Sequence, residues 1–121
     1  MTQQEKQLLL KDLCARLPYG VIVHFEGWNP EKLLEINLQI DVFNAMGGLP
    51  IPYLRPMSSM TKEEKDKYKQ FLEDIEGYVY CIDCVPLVDW LNSHHFDYRG
   101  LIPMGLALEA PEGMYNSTNN A

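Results

Sequence analysis

The densest group of reactive side chains lies in the C-terminal third of the chain. It contains two histidines, a carboxylate, a phenol and a guanidinium within six consecutive residues. Histidine changes charge near neutral pH, so an imidazole oriented by the carboxylate could act as a general base towards a nucleophile. The sequence supplies no convincing nucleophile for such a base. We therefore favour a structural role. One histidine packs on a helix face, and the next lies at the C-terminal end of the helix, where a positive charge suits the helix dipole. The Tyr–Arg pair stabilises the turn in the connection that follows. The residues are His94, His95, Asp97, Tyr98 and Arg99.

A second group combines a guanidinium with three hydroxyls directly before a predicted helix: Arg55, Ser58, Ser59 and Thr61. Free N–H groups at a helix start, together with hydroxyls and a guanidinium, can bind phosphate or another anion. No glycine-rich phosphate loop accompanies them. In the competing interpretation the hydroxyls are ordinary helix caps and Arg55 braces a proline-rich loop.

The pair Cys81 and Cys84 has the spacing of half a zinc site or of a redox dithiol. A tetrahedral zinc ion needs two more ligands, and His94 and His95 suit it poorly because adjacent helical side chains point about 100° apart. The flanking pattern of a thioredoxin-like dithiol is also missing. We interpret the two cysteines as structural thiols and predict neither a bound metal nor a cofactor.

Size and composition indicate one folded domain. The chain has 121 residues, of which 46% are hydrophobic, enough to bury a single core without a disulfide or metal. We place this domain at residues 1–115 and predict a disordered polar tail at residues 116–121. Ten Lys and Arg residues against 17 Asp and Glu give a net charge of −7. Such a charge repels a phosphate backbone, so we expect no duplex nucleic acid as a partner.

The sequence of the N terminus and the number of cysteines predict the cell compartment. Residues 1–11 show no signal peptide, and no apolar run approaches membrane-spanning length, so we expect no membrane partner. Three cysteines, an odd number, suit a reducing compartment rather than a disulfide framework. The sequence predicts a cytoplasmic protein.

The N-terminal half alternates between helical and strand patterns. A capping box at Thr2 and Glu5 predicts the first helix, which should end at Pro18 and Gly20. Residues 19–25 and the alternating residues 33–43 predict two strands of a hairpin. Glycine and proline predict that residues 44–59 form an irregular segment, either an ordered loop or an excursion at the edge of the sheet. The first helix should bury the apolar residues Leu9, Leu10, Leu13, Cys14 and Leu17.

The C-terminal half begins with a second capping box, Thr61 with Glu64, which predicts a helix over residues 62–74. Its inward side chains should be Tyr68, Phe71, Leu72 and Ile75. Residues 78–82 should form a strand, Pro86 should open a third helix that carries His94 on its packed side, and residues 106–109 should form a last short strand.

These elements predict a single α+β domain, with a small, mostly antiparallel sheet packed by about three helices. The long alternating strand over residues 33–43 is also suited to the edge of a sheet, where it could pair with a second copy of the chain. Core packing explains the same alternation without a partner. A homodimer is therefore one hypothesis that the strand pattern allows.

Three stretches of sequence resemble a known group of proteins. They are "ARLPYGV" at residues 15–21, "PYLRPMSSMT" at 52–61 and "DWLNSHHFDYRGLIPMGLALEAPEGMY" at 89–115. They are similar to small proteins of unknown function from gut Bacteroidales genomes and their phages or prophages. The resemblance implies a bacterial or phage cytoplasmic setting and an accessory or interaction role. It implies no catalytic residue.

Two functions follow as hypotheses. The first is a small non-enzymatic accessory protein that acts through protein contacts, with itself or with a protein partner. The alternative is a domain that binds a phosphorylated or nucleotide ligand, or a small enzyme, using Arg55, the helix start at Thr61 and the corner from His94 to Arg99.

Overall fold

The computed structural model describes residues 1–39, 48–75 and 84–115. Their sheet has the order β2-β1-β3-β4. Strand β1 pairs antiparallel with β2 and with β3, whereas β3 and β4 run parallel. The predicted small α+β domain with about three helices is confirmed, and its sheet is mixed. The helices are α1 (Gln3–Arg16), α2 (Lys62–Ile75) and α3 (Cys84–Ser93), and the strands are β1 (Ile22–His24), β2 (Glu31–Lys32), β3 (Ile51–Leu54) and β4 (Leu108–Glu109).

Helix α1 begins at the predicted capping box. The Thr2 hydroxyl accepts the Glu5 N–H at 3.0 Å, and the Glu5 carboxylate accepts the Thr2 N–H at 2.7 Å. A 3-10 turn over Leu17–Tyr19 ends the helix, and Gly20 follows at φ 72°, a conformation that glycine adopts without strain. The predicted core face is only partly correct: Leu9 and Leu13 are fully buried, but Cys14 is exposed.

The predicted long strand over residues 33–43 is wrong where the structure describes it. After the two residues of β2, the chain turns into a 3-10 helix at Glu35–Leu38. The Asn37 side chain accepts the Leu34 N–H at 2.9 Å, and the Asn37 N–H bonds back to the Leu34 carbonyl. Such local side-chain hydrogen bonds compete with a strand ladder. Residues 40–43 of that prediction lie outside the described residues.

The predicted irregular loop over residues 44–59 is wrong at Ile51–Leu54, which form β3 in the middle of the sheet. Proline is unusual in a central strand because it lacks an N–H. The Leu54 carbonyl accepts the Ala110 N–H at 2.8 Å, so the backbone groups of Leu54 face β4. Residues two apart in a strand face the same side, so the Pro52 nitrogen also faces β4. Strand β4 starts only level with Tyr53, so the missing N–H leaves no ladder bond unmade.

The described residues form two core clusters. The larger one packs α1 against the sheet and includes Leu9, Val23 and Leu54. The smaller one joins α2, α3 and the segment after α3 around the fully buried Phe96, with Tyr68 and Phe71 of α2 packed against it. Leu72, predicted to point inward, is instead 42% exposed.

Some predictions lie outside the described residues: the strand over residues 78–82 and the tail 116–121. Cys81 also lies there, so the interpretation of the Cys81 and Cys84 pair stays a prediction. None of the helices that the structure describes is long and apolar enough to cross a membrane.

Candidate functional site

The guanidinium of Arg55 is held by a carboxylate of the neighbouring helix. Its two terminal nitrogens donate to the two carboxylate oxygens of Glu64 at 2.9 Å and 2.7 Å. This two-point arrangement is the strongest geometry for an arginine–carboxylate pair. The Arg55 guanidinium also lies 4.2 Å from the ring centroid of Phe96. A phosphate ligand at Arg55 would therefore have to compete with a carboxylate that is already in place.

Glu64 also completes the predicted capping box of α2. Its carboxylate accepts the Thr61 N–H at 2.8 Å, and the Thr61 hydroxyl accepts the Glu64 N–H at 3.2 Å. Burial by itself would raise the pKa of Glu64, but the hydrogen bonds from Arg55 and Thr61 outweigh burial and lower the pKa to about 2. The carboxylate is ionised at neutral pH and supplies the negative charge that this helix start favours.

His94 joins the same group from the turn after α3, one residue beyond the helix that was predicted to carry it. Its Nδ1 atom lies 3.4 Å from a Glu64 carboxylate oxygen, and its ring packs on Trp90 with centroids 4.9 Å apart. Partial burial lowers the pKa of His94, although the Glu64 charge opposes the change. Arg55 and His94, which come from two separate predicted groups, thus meet at one carboxylate.

A cleft of about 720 Å³ opens beside Arg55. In the described part of the chain, two stretches line it, one between Arg55 and Glu64 and one between Glu109 and Tyr115. All four residues that were predicted to bind an anion line this cleft: Arg55, Ser58, Ser59 and Thr61. The cleft lining includes no residue from His94 to Arg99, so the two predicted ligand-binding groups do not share this cleft.

His95 is buried next to the cleft wall, behind Tyr115. It is 5% exposed and has φ 63°, a left-handed conformation that is uncommon for residues other than glycine. Its ring stacks on the ring of Tyr115, with centroids 3.7 Å apart and 18° between the planes. Burial first, and then the charge of Arg16, lower the pKa of His95 to about 4. Its Nδ1 atom has no hydrogen-bond partner among the described residues.

Tyr115 places its hydroxyl between two strands. The hydroxyl accepts the Ile22 N–H at 2.6 Å and donates to the Tyr53 carbonyl at 2.8 Å. It therefore bridges the start of β1 to the end of β3. Beyond this point the Arg55 N–H donates to the His95 carbonyl and the Asp97 N–H donates to the Arg55 carbonyl. Burial raises the pKa of Tyr115, which keeps the phenol protonated.

Asp97 is not available as the orienting carboxylate of a histidine. Its two carboxylate oxygens accept the backbone N–H groups of Leu101 at 2.7 Å and Ile102 at 3.0 Å. The side chain is buried, and it fixes the turn that follows. This geometry supports the structural interpretation of Asp97.

Tyr98 and Arg99 face α1 and meet two charged residues that sequence reasoning missed. Asp12 and Arg16 are both 0% exposed and are joined at 2.8 Å. Arg99 donates to the other carboxylate oxygen of Asp12 at 3.0 Å, and its guanidinium also donates to the Tyr98 hydroxyl at 3.1 Å. The Tyr98 hydroxyl in turn donates to Asn92 at 2.9 Å.

The Asp12–Arg16 pair had one signal in the sequence, the spacing of four residues that lets opposite charges meet on a helix. The same spacing is common on exposed helix faces, so it did not indicate burial. Arg16 also donates to the Phe96 carbonyl at 2.8 Å, a contact across 80 positions that no local pattern predicts. Among the residues that the structure describes, no three His, Cys, Asp or Glu side chains are placed to hold a metal ion.

The comparisons with known proteins add no relative. The chain matches no protein-family model, and it matches none of the curated proteins and none of the solved structures. The resemblance to proteins of gut Bacteroidales and their phages stays a prediction.

Proposed function

We propose that this protein is a small non-enzymatic accessory domain that acts through contacts with other proteins. One observation carries the proposal: the charged side chains suited to chemistry are held by contacts inside the domain. Arg55 is bound by Glu64, and both oxygens of Asp97 are bound by backbone N–H groups. A general base needs a free side chain facing its substrate.

The setting belongs to the same proposal. We place the protein in the cytoplasm because its three cysteines suit a reducing compartment. The resemblance of residues 15–21, 52–61 and 89–115 is the ground for proposing a bacterium, with the protein encoded by the host or by a phage. A homodimer is one form that such contacts could take. Trp28 and Leu34, which flank β2, are 60% and 56% exposed, and apolar side chains of this size are common at protein interfaces.

A phosphate- or nucleotide-binding domain is the second candidate, and one observation favours it. Arg55, Ser58, Ser59 and Thr61 all line the same cleft, as an anion site at the start of α2 requires. Glu64 argues against it, because its carboxylate already occupies the guanidinium.

A thermal-shift screen with nucleotides, inorganic phosphate and divalent metal ions separates the two candidates. A ligand that binds only the folded state raises the melting temperature. The proposed function predicts no shift with any of these small ligands, and native mass spectrometry should show a dimer or a complex with a protein partner. Stabilisation by one nucleotide that disappears in Arg55→Ala would refute it.

The variant Glu64→Gln adds a second test of phosphate binding to this screen. It removes the negative charge that competes for Arg55 and keeps a side-chain oxygen for the Thr61 N–H. If the cleft binds phosphate, Glu64→Gln should bind it more tightly than the wild type. If the protein works through protein contacts, phosphate should stabilise neither form.

A further inference from the structure

The cleft beside Arg55 carries an excess of negative charge. Among the residues that the structure describes, three carboxylates, those of Glu64, Glu109 and Glu112, and one guanidinium line it. Glu64 and Arg55 neutralise each other. Glu109 and Glu112 remain, both exposed, and no described cation forms an ion pair with either. An anionic ligand would be repelled here, whereas a cationic one would be attracted.

The wall that carries these two carboxylates is also an exposed edge of the sheet. Strand β4 is the last strand in the order β2-β1-β3-β4. The Ala110 N–H bonds to the Leu54 carbonyl on the inner side, so strand alternation turns the backbone N–H and carbonyl of Glu109 outward. No described strand pairs with that outer side. An exposed strand edge can accept an extended peptide through main-chain hydrogen bonds.

The opposite edge of the sheet is less suited to this role. The outward backbone groups near β2 belong to Lys32 and to Pro30, which has no N–H, and the Leu34 N–H is taken by Asn37. Lysine and proline are the residues that protect edge strands from pairing. The β4 edge also has a proline, Pro111, two residues beyond Glu109, but it carries no lysine, and Glu109 lines the cleft.

The parts of the chain that the structure does not describe carry no positive charge for the cleft. The parts of this chain outside the described residues are 40–47, 76–83 and 116–121, and none of them contains a lysine or an arginine. No such segment could therefore supply the positive charge that the cleft attracts.

We propose that the cleft between residues 55–64 and 109–115 binds an extended basic segment of a partner protein, with Glu109 and Glu112 receiving its lysine or arginine side chains. This inference rests on the proposed function and names the surface and the kind of partner. The main chain of the segment adds to the outer side of β4, and its cationic side chains replace the missing counter-charge. Tyr115 and Pro111, which also line the cleft, offer apolar surface to the stems of those side chains.

Fluorescence anisotropy with a labelled peptide of alternating arginine and alanine tests the proposal on the full chain. The wild type should bind this peptide and not the matching peptide of glutamate and alanine, and added salt should weaken binding. The double variant Glu109→Gln/Glu112→Gln should bind about tenfold or more weakly, because it removes both charges that the peptide meets.

The matched control is Glu63→Gln/Asp66→Asn on α2. It removes the same charge from two exposed residues at the same spacing, so it should change the affinity by less than about twofold if binding is local. Equal losses in the two double variants would show attraction to the net charge alone and would overturn the proposal. So would an absence of binding by the wild type.

The outcome separates this inference from the proposed function. If native mass spectrometry shows a protein complex that Glu109→Gln/Glu112→Gln leaves unchanged, the cleft assignment fails and the interaction role stands. If the wild type instead binds a nucleotide through Arg55, both fail. The two substituted residues are exposed, so equal melting temperatures for variant and wild type confirm that folding is not the cause of a lost affinity.

Discussion

The imidazole of His95 stacks on the phenol of Tyr115, with the two ring centroids 3.7 Å apart. This contact joins the turn after α3 to the last residue that the structure describes. The same phenol bridges Ile22 and Tyr53 through its hydroxyl. Tyr115 thus binds the C-terminal segment to the sheet at the start of β1. At this point the partner of the β3 chain changes from β1 to residues 95–97, which pair with Arg55.

Removal of the Tyr115 hydroxyl should destabilise the domain. In Tyr115→Phe the Ile22 N–H and the Tyr53 carbonyl lose their shared partner. Both bonds are partly buried, so we expect a cost at the lower end of the about 1–3 kcal/mol that a buried unpaired group costs. Urea unfolding followed by circular dichroism measures the loss. Tyr68→Phe is the control, since Tyr68 packs on the smaller core cluster and none of the described hydrogen bonds uses its hydroxyl. Equal stability of Tyr115→Phe and wild type would contradict the bridging role.

Acid should weaken the fold through His95. The pKa of this histidine is about 4 in the folded protein against 6.5 in the unfolded chain, so between these values the unfolded chain binds the additional proton. The contribution of neutral His95 is complete above pH 6.5 and is lost as the pH falls to about 4, with a slope of at most about 1.4 kcal/mol per pH unit. Urea unfolding at a series of pH values measures this slope.

The variant His95→Asn identifies the group responsible for the slope. Asparagine accepts a positive φ more readily than most residues and does not titrate, so the slope between pH 6.5 and 4 should become shallower. His94→Asn should have a smaller effect, because the His94 side chain is 36% exposed. An unchanged slope in His95→Asn would assign the acid sensitivity to other groups.

The predictable parts of this fold are those that local chemistry decides. The capping boxes at Thr2 and Thr61 need four consecutive residues each, and both helices begin where those residues place them. Strand β3 escaped prediction because proline and glycine surround it. Its place in the sheet depends on partners far along the chain, β1 and β4, rather than on its own propensity.

The sequence predicted only those parts of the candidate site that depend on residues close together in the chain. The sequence placed Arg55 and Thr61 beside each other at the start of α2, and their shared cleft follows from that short spacing. It could not show that Glu64 binds Arg55 through both oxygens, because the spacing of nine residues spans a strand end, a 3-10 turn and a helix start. Nor could it show the burial of Arg16, since a basic residue in the last turn of α1 is normally solvent-exposed.

Loss of the Asp12 charge should destabilise the domain strongly. In Asp12→Asn, the fully buried Arg16 and the partly buried Arg99 lose the carboxylate between them, and breaking a buried ion pair from one side costs about 3–5 kcal/mol. Asp66→Asn is the control because Asp66 is exposed on α2, and it should change stability by less than about 0.5 kcal/mol. Calorimetric melting compares the two. Similar melting temperatures for both variants would show that Arg16 is satisfied without Asp12.

The Arg55–Glu64 pair should couple energetically, and a double-mutant cycle isolates that coupling. Arg55→Met keeps an apolar stem near Phe96, and Glu64→Gln keeps an oxygen for the Thr61 N–H, so each single change chiefly removes one charge. The pair is 18% and 13% exposed, so we expect a coupling free energy of about 1–2 kcal/mol from urea unfolding. Because the pKa of Glu64 is about 2 in the folded protein against 4.5 unfolded, its stabilisation is complete above pH 4.5 and decreases as the pH falls towards 2. Additive single effects at neutral pH would mean that Glu64 acts as a helix cap alone and leaves Arg55 free to bind an external anion.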